Sequence, residues 1–281
     1  MKTADSPTGK REAIVRSAIF LVGFFLLFFF TRIVVGMIAQ RSSAGQWYGA
    51  AIMTILMTVW TRVYLPIDRQ FDYRTRFSPG SIPRTIFGLI FAALLCSISL
   101  VSLGLLVPGV GFVFRGIDIG QICASAALLL LLASYEEIAF RGYPLARMLP
   151  SFGIWPTLFL IAPLFALYHI AMGWALLQAL LGTGIGSLLF GMAAIAGKRG
   201  LALPIGVHAG WNFTTWCLTS GNGPWRMTFP SYLSHRVQTV GMIMYVICML
   251  SGTVLLWLWT KNRSALRSNS WPGRAHPPAG A

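Results

Sequence analysis

Between Arg147 and Lys198 the chain carries no Asp, Glu, Lys or Arg. An uncharged stretch of that length exceeds any single core helix. Its backbone amides and carbonyls also need partners wherever it lies, and in lipid only spanning helices joined by short turns supply them. Composition agrees, since hydrophobic residues fill 56% of the 281 positions and charged residues only 10%, against roughly a quarter charged in ordinary soluble domains. The expected fold class is all-α: a polytopic membrane protein built as a bundle of about eight transmembrane helices.

Apolar runs of about twenty residues place the spans at 17–38, 46–65, 85–107, 119–141, 154–172, 174–197, 201–219 and 237–260. The first follows a basic leader (Lys2, Lys10, Arg11, Arg16), but it is long and no small-residue cleavage site closes it, so it reads as a retained anchor. Residues 1–16 then form an N-terminal tail, 17–260 the eight-span domain with a motif-bearing core over about 80–220, and 261–281 a C-terminal tail. Residues 1–12 and 264–281 have the composition of disordered segments.

The net charge of +15 invites a nucleic-acid partner, and its distribution argues against one. With the N-terminus in the cytoplasm, the inner segments hold Lys2, Lys10, Arg11, Arg16, Arg62, Arg69, Arg74, Arg76, Arg84, Arg147, Lys198, Arg199, Lys261, Arg263, Arg267 and Arg274. The outer segments hold only Arg41, Arg115, Arg226 and Arg236. That alternation is the positive-inside bias. It predicts cytoplasmic N- and C-termini and a basic face on anionic lipid in a bacterial inner membrane, and no nucleic-acid partner. Cys96, Cys123, Cys217 and Cys248 lie in apolar spans without paired spacing and read as small buried hydrophobes.

The acidic residues locate the chemistry. Asp5 and Glu12 precede the first span, Asp68 and Asp72 fall in a basic loop, and Asp118 falls in an outer loop, which leaves Glu136 and Glu137 at membrane depth. Holding a carboxylate there costs about 2.5–3.5 kcal/mol even on insertion scales, so a functional role is the default inference. Arg141, one helical turn after Glu137, offers it an ion pair, while Glu136 points about 100° away and is left to act as a general base. The bland alternative is a packing clamp in which Arg141 holds both carboxylates.

Two histidines, His169 and His208, lie in apolar spans; His235 and His276 fall in a loop and a tail. His208 and Asn212 share a helical face as two hydrogen-bond donors, the number an oxyanion needs, or as ordinary interhelical glue. Phe165 sits one turn before His169, where its ring can orient or shield the imidazole. Counted at 1.5 Å per residue from a turn near Pro150 to Gly153, Glu136 and His169 come out level, provided the helix survives Gly142 and Pro144 with a kink. His208 reaches that depth only if the hairpin tip projects outward. No HExxH zinc signature and no intramembrane Asp dyad is present, and Ser187 in GTGIGSLLFG reads as helix packing rather than a nucleophile.

Three motifs, in order and each in its own span, resemble a known family. EEIAFRGYPL (Glu136 to Leu145), FALYH (Phe165 to His169) and HAGWN (His208 to Asn212) are similar to the EExxxR, FxxxH and HxxxN motifs of the CPBP intramembrane proteases, the type II CAAX prenyl endopeptidase family. The resemblance implies that Glu136 and His169 activate a water, that His208 and Asn212 stabilise the oxyanion, and that Glu137 and Arg141 support the site. It also implies a membrane-associated protein or lipidated peptide as substrate, reached through a cavity open to the cytoplasm and lipid. Glu136, His169 and His208 form a candidate zinc set of the carboxylate–His–His kind, although their separation favours metal-independent glutamate catalysis. The alternatives are a non-proteolytic scaffold or a bacteriocin self-immunity protein. A transporter is disfavoured by the lack of an inverted repeat.

Overall fold

The structure, a computed structural model, describes residues 7–39, 43–68, 81–198 and 200–269. Arg41, the basic loop 69–80 and the extreme tails, 1–6 and 270–281, lie outside the described residues, and so does any reading of the tails as disordered there. Within them, helix α1 begins at Pro7 and α10 continues to Asn269.

Each sequence-read span is a helical rod. These are α1 (Pro7–Ala39), α2 (Ser43–Tyr64) with a 3-10 turn over Leu65–Ile67, and α3 (Ser81–Leu106). Next come α4 (Ile119–Glu137), a π turn at Ile138–Gly142 and α5 (Tyr143–Phe152), which together make one rod, followed by α6 (Ile154–Ala171). A further rod joins α7 (Leu176–Gln178), a π turn at Ala179–Gly184 and α8 (Ile185–Ala196), before α9 (Ala202–Thr219) and α10 (Ser234–Asn269). Seven of the rods are long and apolar enough to cross a membrane. The exception is α9, whose apolar content is diluted by His208, Asn212, Thr214, Thr215 and Thr219. The protein is an integral membrane protein.

The rods alternate in direction. Antiparallel α1 and α2 are joined by Trp60 Nε1 donating to the Phe20 carbonyl at 3.1 Å and by the Tyr64 hydroxyl donating to the Arg16 carbonyl at 2.9 Å. One end of the bundle holds both the start of α1 and the end of α10. The other carries a feature outside the all-α expectation, an antiparallel ribbon of β1 (Gly111–Phe114) and β2 (Trp225–Thr228), with Gly111 opposite Thr228 and Phe114 opposite Trp225. It ties the α3–α4 connection to the α9–α10 connection. Two strands of four residues leave too short an alternation to be read from the chain.

Asp68, placed by the sequence in a basic loop, is buried where that loop begins: it is 1% exposed and accepts hydrogen bonds from the Tyr143 hydroxyl at 2.5 Å and Arg147 Nε at 2.8 Å. Arg147 also stands 3.8 Å from Glu12, so this α5 guanidinium meets one carboxylate after α2 and another on α1. Cys123 departs from its expected burial: it is exposed on α4, and only Cys96 and Cys248 are buried.

Inside lipid, helices gain nothing hydrophobically from meeting each other, so close packing through small residues has to hold them. α9 meets α3 in this way. A Cβ at Gly206 would lie 2.2 Å from the Thr85 carbonyl oxygen, and one at Gly210 would lie 2.6 Å from that of Leu89. These glycines flank His208, so the helix that delivers the imidazole is seated backbone against backbone. Gly206→Ala is expected to lower stability by about 1–3 kcal/mol through overpacking. A thermal midpoint in detergent equal to the parent's would show that α3 yields instead.

Candidate active site

The rod carrying Glu136 is not straight. Ile138–Gly142 forms a π turn, and Gly142 leaves helical geometry with ψ −115° just before Pro144, whose ring cannot extend the α-helical bonding behind it. The kink anticipated at these residues is therefore present. With the π turn and the non-helical ψ of Gly142 between α4 and α5, depth counted along one straight rod does not apply; His208 reaches both carboxylates.

Glu136, Phe165, His169, His208 and Asn212 line one cavity of about 260 Å³, bounded by α4, α6, α8, α9 and α10. Glu136, His169 and His208 are buried. Glu137 and Arg141 lie behind the cavity wall. Arg141 Nη1 donates to Glu137 Oε1 at 3.3 Å, and its Nη2 donates to the Ser187 hydroxyl at 2.8 Å and to the Ser187 carbonyl at 3.2 Å. The guanidinium carbon stands 4.3 Å from the Phe165 ring centre, which adds a cation–π contact in a dry setting. Ser187 is thus an anchor for Arg141, in keeping with its reading as a packing residue.

Both imidazoles are held by their Nδ1 atoms. His208 Nδ1 is 2.9 Å from Glu137 Oε1, and a carboxylate accepts, so this nitrogen carries a proton. His169 Nδ1 is 3.0 Å from the Phe165 carbonyl and is protonated for the same reason. That leaves each Nε2 for the cavity. The His208 Nε2 stands 3.8 Å from Glu136 Oε2, and Glu136 also acts electrostatically on His169. A carboxylate or carbonyl behind a histidine fixes its tautomer and ring orientation. It also sets a condition on the oxyanion role: with Nδ1–H already given to Glu137, His208 donates from Nε2 only when its ring carries both protons.

Glu136 Oε2 is buried without a hydrogen-bond partner. An unpaired buried acceptor is costly to maintain. Its position 3.8 Å from His208 Nε2, in a cavity that His169 also lines, fits a site that receives a water. Around this centre stand residues that the sequence reading left out. Phe190 stacks on His208 with ring centres 4.2 Å apart, Trp174 meets His169 edge-on at 5.1 Å, and the Tyr135 and Tyr168 hydroxyls are 2.7 Å apart. The two tyrosines immediately precede Glu136 and His169 in the chain and act electrostatically together with Glu136, so adjacency to the motifs was a signal for them. Nothing local marked Phe190 or Trp174.

The three sequence motifs therefore meet at one cavity. Residues 118–214 match the family model described as Type II CAAX prenyl endopeptidase, Rce1-like. No curated protein matches the chain. The matched segment runs from the cap of α4 into α9 and holds every candidate residue of the cavity, so the family likeness is concentrated on the site. That family supports protease activity within the membrane.

Among the described residues no three of His, Cys, Asp and Glu are arranged to hold one ion. The set Glu136, His169 and His208 shares a cavity without closing on a single point.

Proposed function

We propose that the protein is an endopeptidase that hydrolyses a peptide bond of a membrane-associated or lipidated substrate, using a water activated by Glu136 and His169. The observation that carries this reading is the unpartnered Glu136 Oε2, 3.8 Å from His208 Nε2 in a cavity that His169 also lines. Glu136 takes a proton from water as its oxygen bonds to the scissile carbonyl carbon, with His169 Nε2 orienting that water. Negative charge then develops on the carbonyl oxygen. Asn212, one turn beyond His208 on the same face, donates to it together with Nε2–H of a doubly protonated His208, and such preorganised donors act strongly where water is excluded. When the C–N bond breaks, the proton on Glu136 passes to the leaving amine, which restores the carboxylate.

Basic residues gathered at the end that holds both termini support placement in a bacterial inner membrane with those termini cytoplasmic. The test is turnover of membrane-tethered peptides by the purified protein, with Glu136→Gln as the inactive control. Asn212→Ala adds a graded check. Losing one of two oxyanion donors is expected to lower kcat by about 10²–10³-fold while KM changes little. Equal losses for Asn212→Ala and Asn212→Asp, with KM rising in both, would place the side chain in substrate binding instead.

A non-proteolytic scaffold draws support from one observation. The chain of contacts from Ser187 through Arg141 and Glu137 to His208 ties α4, α8 and α9 together whatever Glu136 does.

A further inference from the structure

Where α4 begins and α9 ends, the sequence changes from the apolar face of a span to a mixture of polar and aromatic residues. Ile117 and Ile119 are exposed apolar side chains, and between them Asp118 caps α4 by accepting from the Gln121 amide at 3.0 Å. On the adjoining ribbon Phe114 and Trp225, also exposed, meet with ring centres 5.1 Å apart. Tryptophan is characteristic of the headgroup level of a bilayer, and isoleucines left open beside it face acyl chains.

A second cavity, of about 350 Å³, lies at that level, lined by Arg115, Asp118, Gln121, Trp216, Asn222 and Pro224. Its volume falls within the range of ligand pockets, about 300–1,000 Å³. The Arg115 amide donates to the Pro224 carbonyl at 2.8 Å, so the two connections that form the pocket are joined. Both signs of charge line it, and they do not cancel. Among the described residues Arg115 forms no ion pair, and Asp118 gives Oδ1 to the helix cap and neither oxygen to a basic side chain. A cation and an anion that share a pocket without meeting suit an occupant that carries both charges itself.

We propose that this pocket binds the zwitterionic headgroup of a phospholipid of the phosphoethanolamine class, in the leaflet at the ribbon end of the bundle. The Arg115 guanidinium pairs with the phosphate, which its planar fork fits. The remaining oxygen of Asp118 and the side-chain carbonyls of Gln121 and Asn222 accept from the ammonium, while Trp216 and Pro224 give the carbons between the two charges an apolar wall. Acceptors of this kind select a primary ammonium, which offers three N–H donors, over a quaternary one, which offers none. The acyl chains leave the pocket along Ile117 and Ile119. The inference does not depend on the peptidase reading. Glu136 lies about 27 Å further along the helix that Asp118 caps, so a lipid held here sets the height of α4 in the bilayer without entering the catalytic cavity.

The experiment uses the full-length protein, delipidated in detergent, with short-chain phosphatidylethanolamine, phosphatidylcholine and phosphatidylglycerol as probes and native mass spectrometry to read each dissociation constant. The parent is expected to bind the ethanolamine lipid at least about fivefold more tightly than either of the others, and Arg115→Ala to weaken that binding about tenfold. Asp118→Asn keeps the helix cap, because Asn caps as well as Asp. It is expected to weaken the ethanolamine lipid about tenfold without weakening the glycerol lipid, which has no ammonium to lose. Either variant alone decides the point should the other fail to fold. Equal constants for the three lipids in the parent, or a folded variant that binds the ethanolamine lipid as the parent does, would overturn the site. Soluble phosphoethanolamine that competes at the lipid's own concentration would overturn it too, by assigning the pocket to a soluble ligand.

Discussion

Glu136→Gln is expected to lower kcat on a cleavable tethered peptide by about 10⁴-fold, the upper end of what general acid–base catalysis contributes. The carboxamide is nearly the same size and cannot take a proton from water or return one to the leaving amine, so both halves of the reaction suffer. Folding should be spared. The Oε2 atom of Glu136 has no hydrogen-bond partner to lose, and the ion pair behind the cavity is made by Glu137. The thermal midpoint in detergent is therefore expected to stay within a few degrees of the parent's while turnover disappears. KM should move little, because Gln occupies the same volume beside His208 and His169. A variant that keeps more than about a tenth of parental turnover would remove Glu136 as the base. Loss of the folded state in Glu136→Gln, with no turnover by the parent, would favour the scaffold.

The site was legible because chemistry is scarce in this chain. With so few acidic residues and most of them assignable to loops, Glu136 and Glu137 stand out by elimination, and helical periodicity alone pairs Glu137 with Arg141. The structure keeps that pair and leaves Glu136 without a hydrogen bond to Oε2. Periodicity could not show that His208 would bond Glu137, since that contact depends on how far α4 bends at Gly142 and how closely α9 sits on α3. The second of these was written in Gly206 and Gly210, whose spacing marks a close helix contact, although the sequence reading looked for small residues only around Ser187. The clamp at Asp68 was hidden for a related reason. Its neighbours are basic loop residues, and its partners Tyr143 and Arg147 lie far away in the chain, so nothing local showed the burial that the fold gives it. The helices survived all of this: eight rods stand where hydropathy over twenty residues placed spans, and seven of them, all but α9, are long and apolar enough to cross a membrane.

Arg141→Ala is expected to cost about 3–5 kcal/mol of stability, the penalty for removing one partner from a buried ion pair. Arg141 is among the largest fully buried side chains. Its loss strands Glu137 with only the His208 contact, unbinds the Ser187 hydroxyl and carbonyl, and opens space against the Phe165 ring. The measurement is the unfolding midpoint in detergent, which should fall far enough that little folded protein survives purification at room temperature. The paired replacement Glu137→Leu with Arg141→Met separates charge from shape. With no carboxylate left unpaired, most of the lost stability should return, since apolar substitutes of similar volume commonly match a buried pair. Activity should not return with it. His208 would have lost the acceptor that holds its Nδ1 proton and aims Nε2 at the cavity, and an outer-shell partner of this kind is worth about 10–100-fold where it has been measured in metal sites. A double variant as unstable as Arg141→Ala would show that packing around the guanidinium, rather than neutralisation of Glu137, is what the bundle needs. Full activity in the double variant would detach Glu137 from the orientation of His208 and leave that task to the Phe190 ring stacked on it.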